Sequence, residues 1–256
     1  MKETFYNKDK TKSFDIVIPD VSILGLWLSG GIDSSLLLYL LSKIIQDNKL
    51  DIKIQPATIC LYDINLDERS NMSKKFDLSL AMIENYITAR TITPNICNEV
   101  TKILNTNCIF PLKKYFPTTF VWKEYENIEK ENLKNNIWEV LYSGRNANPP
   151  EEVYGGKDKW PNLTRTHQVN PSINQETFWK MRDREVVQDE VLDNGKLMIP
   201  FANIDKKFVA DLYEQFNLLN ILLPITKSCS FVPLSESVGC GKCFHCYEKY
   251  YGFGVY

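Results

Sequence analysis

The stretch Leu28-Ser29-Gly30-Gly31-Ile32-Asp33-Ser34-Ser35 joins a short apolar run to a helical pattern through two glycines and several small polar residues. Residues 23–28 are nearly all apolar, which is typical of a strand buried on both faces. Beyond the turn, leucine and isoleucine recur at helical spacing over residues 36–45. We therefore predict a strand, a tight turn and a helix. The glycine turn and the positive helix end would together present backbone N–H groups to phosphate oxygens.

Alternating strand and helix patterns follow this unit. Residues 52–62 predict a second strand and residues 67–86 a helix, after which Ile92 suggests a short strand and Pro94 the start of another helix. Strands joined by right-handed helical crossovers are parallel. The sequence therefore predicts an α/β fold with an open, mostly parallel sheet and helices on both faces. In such sheets ligands bind beyond the carboxyl ends of the strands, where the glycine turn lies.

The second half of the chain is harder to assign. Residues 106–196 show little periodicity, with a helix end and a strand near 133–142 and a long loop over 144–171. Loops of that length are either functional or simple exposed insertions, and both interpretations stay open here. A charged amphipathic helix over 178–193, a strand at 196–201 and a helix at 205–216 capped by Asp205 are predicted next.

Composition limits the classes of protein to consider. The chain has 256 residues, a formal net charge of −2 and a pI near 5.8, so charge gives no general case for nucleic acid, although a local basic patch is compatible with it. No apolar run approaches the roughly 20 residues that a membrane span needs. The N-terminal residues lack the apolar core of a secretory signal. We expect a cytoplasmic protein without a membrane partner. A homodimer is compatible with this composition.

Four of the seven cysteines lie in one short segment near the C-terminus, at Cys229, Cys240, Cys243 and Cys246. Two-residue spacing beside Gly239 and Gly241 suits a tetrahedral Zn²⁺ site, and an iron–sulfur cluster is the main alternative. We therefore divide the chain into residues 1–225 and a metal-binding segment over 226–256. His245 is interpreted as an ordinary surface histidine.

The string Ser29-Gly30-Gly31-Ile32-Asp33-Ser34 after a buried strand resembles the signature of the PP-loop ATP pyrophosphatase superfamily, whose fold is of the adenine nucleotide α-hydrolase (HUP) type. The C-terminal strings Thr226-Lys227-Ser228-Cys229 and Gly239-Cys240-Gly241-Lys242-Cys243-Phe244-His245-Cys246, followed by Gly252-Phe253, resemble the 7-cyano-7-deazaguanine synthase family within it. The likeness covers roughly residues 22–65 and 196–254. The string Leu61-Tyr62-Asp63-Ile64-Asn65 after the second strand departs from the family's pattern and leaves the substrate less defined than the ATP chemistry.

The resemblance implies an ATP-dependent carbon–nitrogen ligase that adenylates a small carboxylated heterocycle, releases pyrophosphate and lets ammonia displace AMP, as in queuosine-type deazapurine biosynthesis. It implies ATP, Mg²⁺ and Zn²⁺ as cofactors. Asp33, Lys206 and Arg145 would be catalytic, and Asp33 would also help hold Mg²⁺, although an aspartate here also suits a helix cap. The expected nucleotide contacts are Ser29, Gly30, Gly31, Asp33, Ser34, Ser35, Leu61 and Tyr62.

Two other functions stay open. Cys60, Cys97 and Cys108 are compatible with a PP-loop enzyme that thiolates tRNA or otherwise modifies a nucleobase, although a single cysteine is more often a small core residue. A zinc-stabilised nucleotide-binding module without catalysis is the third hypothesis.

Overall fold

The structure is a computed structural model that describes residues 1–62, 65–76, 80–118, 121–150, 191–192, 196–229, 239 and 244–255. Eight strands and six α-helices are found within these ranges. The strands are β1 (Lys2–Tyr6), β2 (Ser13–Val17), β3 (Ile23–Trp27), β4 (Lys53–Ile59), β5 (Lys113–Tyr115), β6 (Val140–Ser143), β7 (Val191–Leu192) and β8 (Leu197–Met198). The helices are α1 (Ile32–Asp47), α2 (Leu66–Phe76), α3 (Leu80–Leu104), α4 (Val121–Lys134), α5 (Lys206–Gln215) and α6 (Phe244–Phe253), and a 3₁₀ turn covers Leu223–Ile225.

The main sheet has the strand order β5-β4-β3-β6-β8-β7. Five strands are parallel, and β7 alone pairs antiparallel at the edge. The chain moves outward from β3 through β4 to β5, and then returns to place β6 on the other side of β3. This reversal creates a topological switch point between β3 and β6, where open α/β sheets bind ligands. The predicted open, mostly parallel α/β sheet is confirmed.

One face of the sheet packs on α1, α5 and the second half of α3. Leu24 and Leu26 of β3, Ile54 of β4 and Tyr142 of β6 point to this side and are buried together with the apolar residues of α1. Alternate residues of each strand share a face because the strand repeat is two residues. The leucine-rich pattern over 36–45 therefore marks a helix that is buried along most of its length.

The opposite face packs on α4 and the first half of α3, so helices cover both sides. Trp138 lies over β3 at Gly25, where a Cβ atom would approach its ring to 2.5 Å. The Trp138 indole N–H donates to Gln55 Oε1 at 3.0 Å, which satisfies the polar atom of this buried ring. A glycine inside a buried strand is thus explained by the close approach of an aromatic side chain.

A separate hairpin of β1 and β2 packs against the core that α1 and α5 form with the sheet. The ring of Phe14 stacks on Phe5 with centroids 5.5 Å apart, and it meets Phe201 and Phe208 edge-on at 5.4 Å each. These aromatic contacts fix the hairpin to α5 and to the segment before it.

The prediction of a strand at Ile92 and a new helix from Pro94 is wrong, because α3 runs through both residues. A proline inside a helix costs about 3 kcal/mol. Burial of a row of apolar side chains, each contributing about 1.5–3 kcal/mol, outweighs this cost. The row consists of Ile83, Ile87, Ile92, Ile96 and Val100. In addition, the Thr93 hydroxyl donates to the Ala89 carbonyl at 2.6 Å in the same turn.

The segment 106–196, predicted to be mostly irregular, begins with regular structure. Strand β5, helix α4 and strand β6 all lie before residue 144, and β6 is a central strand beside β3. The predicted loop beyond residue 150 and the helix predicted near 178–193 fall almost wholly outside the described residues. The Asp205-capped helix is confirmed as α5, with the Asp205 carboxylate accepting from the N–H groups of Lys207 and Phe208 at 3.1 Å.

Candidate functional site

The glycine turn lies at the switch point, between the carboxyl ends of β3 and β6. Strand β3 ends at Trp27 and α1 begins at Ile32, so residues 28–31 form the turn. On the neighbouring strand, Gly144 follows β6 directly, and a Cβ atom there would lie 2.8 Å from the Ser34 amide nitrogen. The segment after β6 approaches the first turn of α1 this closely because residue 144 has no side chain.

The backbone of the turn leaves donors available at the start of α1. Gly30 has φ +84°, a conformation that favours glycine, and Gly31 caps the helix without a side-chain hydrogen bond. The N–H groups of Ile32, Asp33 and Ser34 have no acceptor within the helix because they belong to its first turn. A helix start of this kind combines free N–H donors with a positive dipole end, which suits an anion.

The serines of the motif mainly stabilise the turn. The Ser29 and Ser34 hydroxyls are 3.1 Å apart, and the Ser35 hydroxyl donates to the Gly31 carbonyl at 2.7 Å. Ser35 is fully buried and therefore stabilises the turn from its interior side. Ser29 and Gly31 line the cavities beside the turn, as does Asp33.

Asp33 and Lys206, predicted from distant parts of the sequence, form an ion pair in the fold. The Lys206 ammonium donates to Asp33 Oδ2, and Lys206 is 4% exposed at the first position of α5. The Tyr213 hydroxyl of α5 also donates to the Ile32 carbonyl at 3.0 Å, which fixes α5 against the start of α1. Asp33 Oδ1 is buried and has no hydrogen-bond partner among the described residues.

Two cavities flank the turn and share Ser29, Gly31, Asp33 and Tyr125 as lining residues. The β4-side cavity, of about 390 Å³, is lined also by Thr58 at the end of β4, Lys206 and Lys227. The β6-side cavity, of about 420 Å³, is lined also by Trp27 and by residues 143–145 after β6. Both volumes fall in the range of about 300–1,000 Å³ that is usual for small-molecule sites.

Arg145 lines the β6-side cavity, so this predicted catalytic residue does reach the neighbourhood of the turn. Leu61 and Tyr62, predicted to contact the nucleotide at the end of the second strand, do not line either cavity. Leu61 is buried in the core of the α4 face, and its amide donates to the Tyr86 carbonyl at 2.9 Å. Tyr62 is 58% exposed, and its ring stacks on Phe116 with centroids 4.0 Å apart.

Two of the four predicted metal ligands are described. Cys229 and Cys246 are both buried, and both thiols influence the pKa of the half-buried Lys249, which burial lowers and the two cysteines raise. Cys240 and Cys243 lie outside the described residues. Within the described ranges, no group of three or more His, Cys, Asp or Glu side chains is arranged to hold a metal ion. A zinc site therefore stays a prediction.

The cysteines considered for thiolation chemistry lie mainly in the core. Burial raises the pKa of the Cys60 thiol, and it raises that of Cys97 to about 12. A thiol with a raised pKa is a poor nucleophile at neutral pH because the thiolate is the reactive form. Cys108 is partly exposed and packs against the edge of the core that contains α1.

Sequence reasoning missed three residues that line the β4-side cavity: Lys227, His245 and Glu248. Glu248 is 2% exposed, and its carboxylate lies 3.4 Å from Nδ1 of His245, whose side chain is 39% exposed, so this histidine lies at the protein surface beside a buried carboxylate. Burial lowers the pKa of Lys227, whereas the charges of Cys229 and Glu84 raise it. These residues follow the glycine turn by some 200 positions, and no local pattern marks their return to it.

The fold and the site define an open, doubly wound α/β protein with a glycine turn at its switch point, where two cavities meet the start of α1. No protein-family model matches the chain, and no curated protein matches it. In the part of the chain that the structure describes, no helix combines the length and apolar character needed to cross a membrane.

Proposed function

We propose that this protein is an ATP-dependent synthetase of the PP-loop type, which splits ATP into AMP and pyrophosphate. The observation that carries the proposal is the glycine turn itself, with its α1 amides and the Asp33–Lys206 ion pair beside two cavities at the switch point. Amide donors fixed before the reaction stabilise charge on a departing pyrophosphate without reorganising. The sequence resemblance to the superfamily supports the same chemistry.

The residues present fit a bound magnesium ion. Asp33 Oδ2 is held by Lys206, whereas the buried Oδ1 has no described partner and is a suitable oxygen ligand. Mg²⁺ prefers one or two carboxylates together with phosphate oxygens and water. In the proposed site the ion would neutralise charge on the ATP phosphates, and Lys206 would fix the orientation of the Asp33 carboxylate.

The proposed second substrate is a small carboxylate that occupies the β6-side cavity beside Arg145. Its carboxylate oxygen attacks the α-phosphorus of ATP, and the bond from that phosphorus to the β-phosphate oxygen breaks as pyrophosphate leaves. Ammonia then attacks the acyl carbon, AMP departs and an amide forms with loss of a proton. By resemblance to the 7-cyano-7-deazaguanine synthase family, 7-carboxy-7-deazaguanine is the first substrate to test. With this substrate, a second ATP-dependent activation, now of the amide, would give the nitrile.

The test is to incubate the full-length protein with ATP, Mg²⁺, ammonium and 7-carboxy-7-deazaguanine, and to separate the nucleotide products by chromatography. We expect AMP and pyrophosphate in equal amounts, with product formation dependent on the carboxylate. ADP and orthophosphate as products would reject the proposed class of reaction.

A pair of variants on the same helix sharpens this test. Asp33→Asn removes the charge at the start of α1, and we expect it to lower AMP formation by about 100-fold or more because the carboxylate orients the reacting groups. Asp47→Asn at the far end of α1 changes an exposed residue that pairs with Lys43, and it should retain activity. Equal loss in both variants would contradict a specific role for Asp33.

A further inference from the structure

Lys227 is connected to the glycine turn through its backbone. Its amide donates to the Gly30 carbonyl at 2.9 Å, and its own carbonyl oxygen would lie 3.7 Å from a Cβ atom at Gly31. Residue 227 is thus held directly against the two glycines, although it follows them by almost 200 positions. This contact fixes where its side chain starts.

Lys227 lines the β4-side cavity together with Ser29, Gly31 and Asp33. Its ammonium nitrogen is buried and has no hydrogen-bond partner among the described residues. A buried ammonium without a partner is costly, so this arrangement favours the binding of an anionic group beside Lys227.

The charges around the cavity favour the same conclusion. Lys206 is already paired with Asp33, and the Glu248 carboxylate lies 3.4 Å from His245. Glu84 and Cys229 also lie near enough to act on the charge of Lys227, but neither forms a described hydrogen bond with the ammonium. Lys227 therefore adds a cation beside a turn whose amide donors already favour an anion.

We propose that Lys227 binds a phosphate group of the ligand at the glycine turn and supplies the positive charge that the backbone amides lack. The ligand class is a pyrophosphate, either free or as the β,γ-phosphates of a nucleoside triphosphate. This proposal rests on the proposed function for the identity of the ligand, whereas the position of Lys227 stands by itself.

The experiment measures the affinity of inorganic pyrophosphate and of ATP, each with Mg²⁺, by titration calorimetry on the full chain. Lys227→Met removes the charge and keeps most of the apolar stem, and Lys227→Arg keeps the charge. Lys207→Met is the matched control, because Lys207 is an exposed lysine of the neighbouring helix α5. Thermal unfolding of each variant reports whether the fold persists, and Lys227→Gln replaces Lys227→Met if the latter is unfolded.

We expect Lys227→Met to weaken pyrophosphate binding by about 10- to 100-fold, as for loss of a hydrogen bond from a charged group. Lys227→Arg should recover part of the affinity, and Lys207→Met should bind as the unsubstituted protein does. Unchanged pyrophosphate affinity in a folded Lys227→Met variant would overturn the proposal.

The two proposals fail in different ways. Pyrophosphate binding that depends on Lys227, without AMP formation from ATP, would reject the synthetase and retain the role of Lys227. AMP formation from ATP, together with unchanged pyrophosphate affinity in Lys227→Met, would retain the synthetase and reject the role of Lys227. Absence of binding of both pyrophosphate and ATP to the unsubstituted protein would overturn both.

Discussion

Replacing Gly252 by alanine tests whether the C-terminal helix α6 positions Lys206. A Cβ atom at residue 252 would lie 2.5 Å from the Lys206 carbonyl oxygen and 2.8 Å from its Cγ, whereas ordinary contacts begin near 3.4 Å. The two helices must therefore separate by about 0.9 Å at this point. The carbonyl cannot rotate aside because it belongs to the backbone of α5.

Two further contacts resist this separation. The Tyr251 hydroxyl donates to the Asp205 carboxylate at 3.4 Å, and the ring of Phe253 meets Tyr213 edge-on at 5.4 Å. Overpacking of this kind costs about 1–3 kcal/mol of unfolding free energy. At about 2–4 °C per kcal/mol for a chain of this size, the melting temperature should fall by several degrees. The larger effect is expected in the site, because misplacement by about 1 Å lowers rates by about 100-fold.

The assay compares AMP formation, pyrophosphate affinity and thermal unfolding for Gly252→Ala and Gly254→Ala. Gly254 has φ +69° and no atom within 4 Å of a Cβ at that position, so alanine there strains the backbone without displacing Lys206. We expect Gly254→Ala to lose about 1–2 kcal/mol of stability and to keep its activity. The reasoning is refuted if Gly252→Ala unfolds at a lower temperature but forms AMP at the rate of the unsubstituted protein.

Three other predictions concern the fold. Gly25→Ala should lower the unfolding free energy by about 1–3 kcal/mol, because the new methyl group meets the Trp138 ring at 2.5 Å; an unchanged urea midpoint would contradict this. Pro94→Ala should raise the urea midpoint, since it restores a backbone donor inside α3, and a lower midpoint would show that the proline is needed. Burial raises the pKa of Cys97 to about 12, so its thiol stays protonated at pH 8. Iodoacetamide should then label Cys108 well before Cys97, as followed by peptide mass spectrometry, and equal labelling rates would contradict the buried placement.

Local sequence patterns were sufficient for the central unit of the fold. The apolar run before Gly30 predicts β3, the helical repeat after it predicts α1, and the pattern over residues 52–62 predicts β4, because each pattern records burial on a face that the element itself determines. The Asp205 cap was equally local, since a carboxylate at that position meets amides two and three residues later. Such features depend on neighbours in sequence and not on the rest of the chain.

The errors have a different physical origin. Pro94 was interpreted as a helix start, because proline in a helix interior is unfavourable; tertiary burial of the α3 apolar row decided otherwise. Likewise, the role of Gly25 follows from Trp138, which lies more than 100 residues away. The sequence marks Lys227 only as a neighbour of Cys229, because its contact with Gly30 exists only after the chain has folded.

The contacts of the cysteine-bearing segment bear on how the chain is divided. Sequence suggested a boundary near residue 225, with the cysteines in a separate C-terminal segment. In the structure, that segment begins by bonding to the Gly30 carbonyl through Lys227, and it ends with Gly252 packed on Lys206. Two lysines of the site are thus held by the two ends of one segment. Unfolding of the cysteine-bearing segment would therefore move Lys227 away from the glycine turn and remove a packing contact of Lys206. This gives a physical reason for two motifs some 200 residues apart to occur together in one chain.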